Sequence, residues 1–205
     1  VDNNSDQKDK ARVVYIAEGG DSGWEMEHQA MFSFHREIGL PELPPSRWMD
    51  EKIWHLENED QPAFIIPPVA HLTSGPSGLT YHPGAGFLES ENGRFLICDY
   101  RGSAATSGIW SFSVKPDGAG MKLADARKFL TGVAATDVEY SWDGRVFVTD
   151  FVSGWTSHED GRLLSLDAGP NSWRAAEAKD VAGIIREGFE KRGSAELANL
   201  LRHPD

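Results

Sequence analysis

The chain has 205 residues, 40% of them hydrophobic and 25% charged, and carries a formal net charge of −12 at pH 7. That length buries one sizeable core, or a core with a small satellite. The acidic balance and the absence of any Lys/Arg cluster exclude a surface that tracks nucleic-acid phosphates, one cysteine excludes an internal disulfide, and no apolar run approaches the roughly 18 residues of a membrane span.

At the start of the chain, Asp2, Asn4 and Asp6 place side-chain oxygens at alternate positions, the spacing with which a loop wraps calcium. Asp9 and Asp21 would complete such a site, and a solvated Asx-rich turn is the other reading. Gln7 stands where calcium loops favour glycine and a strand pattern follows, so an EF-hand is excluded. Residues 12–16 (Arg-Val-Val-Tyr-Ile) read as a strand. Residues 19–24 form a Gly-rich turn, and a helix is expected near residues 25–38, where Met31, Phe34 and Ile38 share a face. His28 and His35 on that helix are seven residues apart, not the four of a helical zinc pair, and zinc is not expected. Prolines 41, 44, 45, 62, 67 and 68 then break regular structure, making 25–70 an irregular insertion. Within it Trp48, Trp54 and His55 either line a sugar-binding lip or plug the loop onto the core.

From residue 71 the pattern becomes repetitive. Gly93-Arg94…Asp99 recurs as Gly144-Arg145…Asp150, 51 residues later. A second apolar run opens in each copy at Gly108-Ile109-Trp110 and Gly161-Arg162-Leu163. Strands are expected at residues 78–81, 95–98, 109–114 and 122–130 in the first copy, and at 137–140, 146–149 and from 162 in the second. No fourth strand is evident after Leu166. Turns fall at Pro116-Asp117-Gly118 and Trp142-Asp143-Gly144. A period of about fifty residues built from short strands is the signature of a propeller blade, and a blade cannot bury its own apolar face. The expected fold class is therefore all-β: a partial β-propeller of about two to three blades, residues 1–174, followed by a C-terminal helical segment. Helical periodicity begins at Asp180, with Ser194 expected to cap a second helix.

The run His71-Leu72-Thr73-Ser74-Gly75-Pro76-Ser77-Gly78-Leu79-Thr80-Tyr81…Gly93-Arg94-Phe95-Leu96-Ile97-Cys98-Asp99-Tyr100-Arg101-Gly102, with Gly19-Gly20-Asp21-Ser22-Gly23-Trp24, resembles the glucose/sorbosone dehydrogenase-like propellers. More narrowly it is similar to large multidomain membrane-bound dehydrogenases of planctomycete-type bacteria, in which HEAT-like repeats and a c-type haem domain follow the propeller. The resemblance covers about residues 1–167 as propeller, and residues 175–205 look like a helical linker and the opening of a HEAT-like repeat. It implies a six-bladed propeller that binds pyrroloquinoline quinone, often with calcium. Such a protein oxidises a sugar or polyol and passes electrons to a haem beyond this chain, in the periplasm or outside the cell. It also implies that the catalytic histidine belongs to an earlier blade that this chain lacks, so the chain alone would be inactive.

Carried onto this sequence, the resemblance makes Arg101 the candidate for the quinone carboxylates, which a guanidinium grips with two parallel hydrogen bonds. Asp137, ahead of the second inner strand, is the candidate for facing the axis. His71, at the entrance of the first inner strand, is a weak catalytic candidate beside a hydrogen-bonded structural role. The family's next cluster of arginines has no counterpart in residues 131–137. The alternative is a non-catalytic propeller that recognises a glycan or a protein partner. Asp99 and Asp150 read as turn-holding carboxylates, and Cys98 as a buried structural thiol.

Overall fold

The computed structural model describes residues 1, 3, 11–22, 34–41, 58, 65–154 and 159–205. The calcium-loop candidates Asp2, Asn4 and Asp6, with Asp9, lie outside the described residues, as do His28, Trp48, Trp54 and His55.

Two antiparallel sheets dominate. Strands β1 (Pro76–Tyr81), β2 (Phe95–Asp99), β3 (Gly108–Asp117) and β4 (Gly120–Thr131) form a four-stranded sheet in chain order. Strands β5 (Ala135–Tyr140), β6 (Val146–Asp150) and β7 (Arg162–Leu166) form a three-stranded one, also in chain order. The turns are set where glycine reaches positive φ, at Gly118 (58°) between β3 and β4 and at Gly144 (82°) between β5 and β6. The seven strands fall where the apolar runs place them.

Side-chain alternation brings the sheets together. On β5, Ala135, Val138 and Tyr140 are buried while Asp137 and Glu139 are exposed; on β6, Val146, Val148 and Asp150 are buried. Ala135, Val138, Tyr140, Val146 and Val148 share one core with Leu96, Cys98 and Ile109 of the first sheet and with Phe87 and Val133. The register Cys98↔Ile109 and Phe95↔Phe112 puts Ile109 on the core face and Phe112 on the other. Phe112 is only 1% exposed, and a ring ladder runs across that second face: Tyr81 to Phe95 at 4.7 Å and Phe95 to Phe112 at 5.1 Å.

The first strands of the two sheets lie side by side. Thr80 Oγ1 donates to Glu139 Oε1 at 2.9 Å, and Ser77 Oγ donates to the Ala135 carbonyl at 3.4 Å. The Gly78 backbone abuts Asp137 and Val138.

By contact the chain divides into two compact units, Val1–Pro76 with Val114–Ala124, and Ser77–Ser113 with Asp125–Asp205. In the first, the strand expected at 12–16 is reduced to isolated bridge positions at Arg12 and Val13, the latter paired with Ala70. Its partner segment contains Pro67 and Pro68, which have no N–H to extend a ladder. Val69 N–H donates to the Val13 carbonyl at 2.8 Å, Ile66 N–H to Asp21 at 2.7 Å, and the ladder goes no further among the described residues. Of the helix expected near 25–38, residues 34–37 are helical and 25–33 lie outside the described residues.

The second unit ends in helices α1 (Ala175–Glu187) and α2 (Ser194–Leu200). The first starts five residues ahead of the expected Asp180, and its buried Ala178 packs on the close-set Gly86 and Gly144. Ser194 is not the cap of α2: Gly193 takes that place in extended conformation, its carbonyl accepting the Leu197 N–H at 3.0 Å, and no side chain caps the helix. Among the described residues no helix is long and apolar enough to cross a membrane.

Candidate functional site

The recurring aspartates end the second strand of each sheet and are buried there, Asp99 at 0% and Asp150 at 2% exposure. A carboxylate at that depth needs several donors. Asp150 Oδ1 accepts the N–H groups of Ala134 (3.0 Å) and Val152 (2.9 Å), and its Oδ2 takes Arg162 Nε and Nη2 at 3.1 and 2.5 Å. Burial alone would raise its pKa. The Val152 N–H, the Arg162 guanidinium and the Ala134 N–H outweigh that and hold the carboxyl below the ordinary 3.8. Asp150 thus ties the entry of β5 and the exit of β6 together.

Asp99 is built differently. Its Oδ2 receives Arg101 Nε at 2.9 Å and Trp110 Nε1 at 3.3 Å, and Lys128 Nζ stands 3.8 Å away, 4.1 Å over the Trp110 ring. Two cations converge on one carboxylate. Arg101 commits only Nε; among the described residues Nη1 and Nη2 have no hydrogen-bond partner, and the side chain is 41% exposed. The loop holds the residue in place. Arg101 N–H donates to Ser107 Oγ at 2.8 Å, and its carbonyl accepts Thr106 Oγ1 at 3.1 Å. The result is a tethered guanidinium with its outer edge open, a geometry suited to a planar carboxylate.

The other candidates do not join it. Asp137 is exposed, and its Oδ1 accepts the Val138 N–H at 2.9 Å. Among the described residues no contact links it to Arg101. His71, in the first compact unit, has Nδ1 3.2 Å from the Ala11 carbonyl and pins the 11–13 segment. Cys98 is fully buried, and burial, the largest influence, pushes its thiol up to about 12, which makes it inert at neutral pH. No group of three His, Cys, Asp or Glu side chains suited to a metal occurs among the described residues.

One histidine was not singled out in the sequence. His82, directly after β1, is 1% exposed and packed against Tyr140 (5.0 Å) and Trp173 (5.9 Å). The signal was its place between Tyr81 and the Pro83-Gly84 turn, where an imidazole can accept a turn N–H. Gly84 N–H does donate to Nδ1 at 3.1 Å, which leaves the proton of the neutral ring on Nε2. Nε2 and the Tyr140 hydroxyl are both buried, and among the described residues neither has a hydrogen-bond partner. Burial lowers the His82 pKa from 6.5, against smaller upward pulls from the Gly86 backbone, Glu91 and Asp205. The unfolded chain therefore takes up a proton below 6.5 that the folded chain resists, and stability falls as pH drops through that value toward the lower folded one. Urea unfolding at a series of pH values from about 7.5 to about 5 checks this. His82→Phe keeps the ring contacts and is expected to flatten the profile; an unchanged slope would remove His82 as its cause.

No family model, no curated protein and no solved structure matches this chain.

Proposed function

We propose that the two sheets are consecutive blades of a propeller of the glucose/sorbosone dehydrogenase type, in a parent protein that oxidises a sugar or polyol and passes the electrons to a haem module outside this chain. The adjacent first strands β1 and β5, the strand order within each sheet and the repeated buried aspartates support the blade reading.

The observation that carries the proposal is Arg101. Its Nε is anchored on a buried carboxylate, and among the described residues its two terminal nitrogens have no hydrogen-bond partner. Pyrroloquinoline quinone is a polycarboxylate that supplies the redox chemistry when bound; this chain's part is to grip and orient it. Arg101 would hold one carboxylate bidentately, and Lys128 adds a second positive charge beside Asp99. The fit is one-sided, because residues 131–137 contribute no cation. Neither described histidine near a first strand serves as the proton acceptor: His71 is engaged with Ala11, and His82 is sealed in the core.

Titration of the chain with pyrroloquinoline quinone, with and without calcium, tests the reading. Arg101→Ala is expected to weaken binding at least about tenfold, the worth of a lost charge-assisted pair. Arg162→Ala is expected to leave it unchanged, since that guanidinium is already spent on Asp150. Equal binding by wild type and Arg101→Ala would sink the assignment. A second reading, recognition of an acidic glycan or protein partner without a quinone, is favoured by the missing cations at 131–137 and by the exposed Asp137. It predicts Arg101-dependent binding of a uronate and none of the quinone.

A further inference from the structure

The loops that follow β2 and β6 touch each other. Asp99-Tyr100-Arg101-Gly102 leaves the first sheet and Asp150-Phe151-Val152-Ser153-Gly154 leaves the second, which makes Val152 the repeat mate of Arg101. The Tyr100 and Phe151 rings meet edge to face at 6.2 Å. Beyond them the Gly154 backbone lies against the Gly102 carbonyl. A methyl group on Gly154 would overlap the Gly102 oxygen, and would stand 2.8 Å from the Gly102 carbonyl carbon and 3.3 Å from the Ser103 Cα.

The second loop reaches that contact through a strained turn. Val152 has φ 53°, a region that a β-branched residue rarely enters. Ser153 N–H donates to the Phe151 carbonyl at 2.6 Å, closing a three-residue turn with Val152 at its centre. The turn is held from both sides: Phe151 N–H donates to the Ala134 carbonyl at 3.0 Å, and Val152 N–H to Asp150 Oδ1 at 2.9 Å. Strain of this kind persists only where the surroundings over-determine it, and the buried Asp150 carboxylate does so here. At an ordinary negative φ, Val152 would carry the chain away from Gly102.

We infer that Gly154 is a positioning residue for Arg101. Delivered by the Val152 turn, it backs the Gly102 peptide and so fixes the direction in which the Arg101 side chain leaves the backbone. The remaining restraints come from the other side. Ser107 Oγ accepts the Arg101 N–H, Thr106 Oγ1 donates to the Arg101 carbonyl, and Asp99 holds Nε. A guanidinium held in this way loses little freedom on gripping a planar carboxylate, and that is how preorganisation raises affinity. The use made of this geometry rests on the reading of Arg101 as a carboxylate grip; the positioning itself can be measured with no ligand present.

NMR of the whole chain tests the inference through the Arg101 Nε–H signal, which reports the bond to Asp99. In the wild type, a nuclear Overhauser contact is expected between the α-protons of Gly154 and Ser103. Gly154→Ala is expected to shift the Arg101 Nε–H signal and to speed its exchange with water at least about tenfold. Gly132→Ala is the control. Gly132 also has positive φ (79°) but nothing within 4 Å of an added methyl, so alanine there meets the same backbone strain without a collision. The Arg101 signal is expected to stay in place. Pyrroloquinoline quinone is expected to bind Gly154→Ala at least about tenfold more weakly than wild type, with no further loss when Gly154→Ala is added to Arg101→Ala.

Absence of the Gly154–Ser103 contact in the wild type overturns the inference, whether or not the variants fold. So does an Arg101 signal that Gly154→Ala leaves unmoved or that Gly132→Ala moves equally, or a loss of quinone affinity that persists without Arg101. Quinone binding indifferent to Arg101→Ala, with the Arg101 signal still moved by Gly154→Ala, would sink the quinone reading and uphold the positioning.

Discussion

Gly78→Ala is expected to destabilise the chain by about 3 kcal/mol, the upper range for forcing extra volume into a packed site. The added methyl would lie 2.6 Å from the Asp137 Cα and 2.8 Å from the Val138 nitrogen, besides colliding with the Asp137 carboxylate. Two of those three neighbours are backbone atoms of β5, which cannot rotate away, so β1 and β5 must separate and the Thr80–Glu139 hydrogen bond lengthens. Gly183→Ala, in the middle of α1 with nothing within 4 Å of the new methyl, supplies the contrast: helix propensity there is expected to stabilise by about 0.5–1 kcal/mol. Denaturant midpoints of the two variants check both signs. Equal midpoints would mean that the sheets do not meet at Gly78.

The second large effect separates two arginines that look alike in the sequence. Arg94 donates Nε to Ser111 Oγ at 2.7 Å and Nη2 to the Ser111 carbonyl at 3.1 Å, and Nη1 pairs with Asp125 at 2.8 Å. Ser111 Oγ in turn donates to Glu91 Oε2 at 2.6 Å, and Arg127 closes the network on the other Glu91 oxygen. Glu91 and Ser111 are 2% and 0% exposed. Removing one member strands the others without solvent, so Arg94→Ala is expected to cost about 3–5 kcal/mol. Its repeat mate Arg145 pairs with Asp143 at 2.5 Å on the surface, its one ion pair among the described residues, and lies over the Phe147 ring. Surface pairs contribute little, and Arg145→Ala is expected to leave the unfolding midpoint unmoved. Chemical unfolding of both variants decides the matter; similar losses would show that the buried network is not what holds the first Gly-Arg turn.

The difference between the two Gly-Arg turns was not legible in their residues. Each reads Gly-Arg followed by an apolar strand. What separates them is a glutamate two residues before Gly93 and a serine on β3, and their convergence depends on the β2–β3 register. Asp150 was legible as a turn-holding carboxylate, because a carboxylate at a strand end has the N–H two residues on within local reach; Asp99 was read the same way, and the donors it receives are the side chains of Arg101 and Trp110. The partners that distinguish them come from further along the chain: Lys128 and Trp110 for one, Arg162 for the other. The open guanidinium of Arg101 follows from those distant partners.

Strand positions were set by the sequence itself, since period-two burial and glycine turns act over a few residues and need no knowledge of the rest of the chain. Local pattern failed where the deciding group was remote. The segment at 12–16 has strand composition, yet it is reduced to isolated bridge positions, and Val13 pairs with Ala70 in a chain segment that contains Pro67 and Pro68. His82 lies in an unremarkable turn and becomes a buried neutral imidazole only when Tyr140 and Trp173 close over it. The leucines of β7 suit a strand in any sheet; that β6 is their strand neighbour among the described residues is decided by the fold. Backbone conformation is governed by interactions between near neighbours, so composition and spacing determine it. Burial, charge pairing and free edges are governed by residues tens of positions apart, and only the folded chain brings those together.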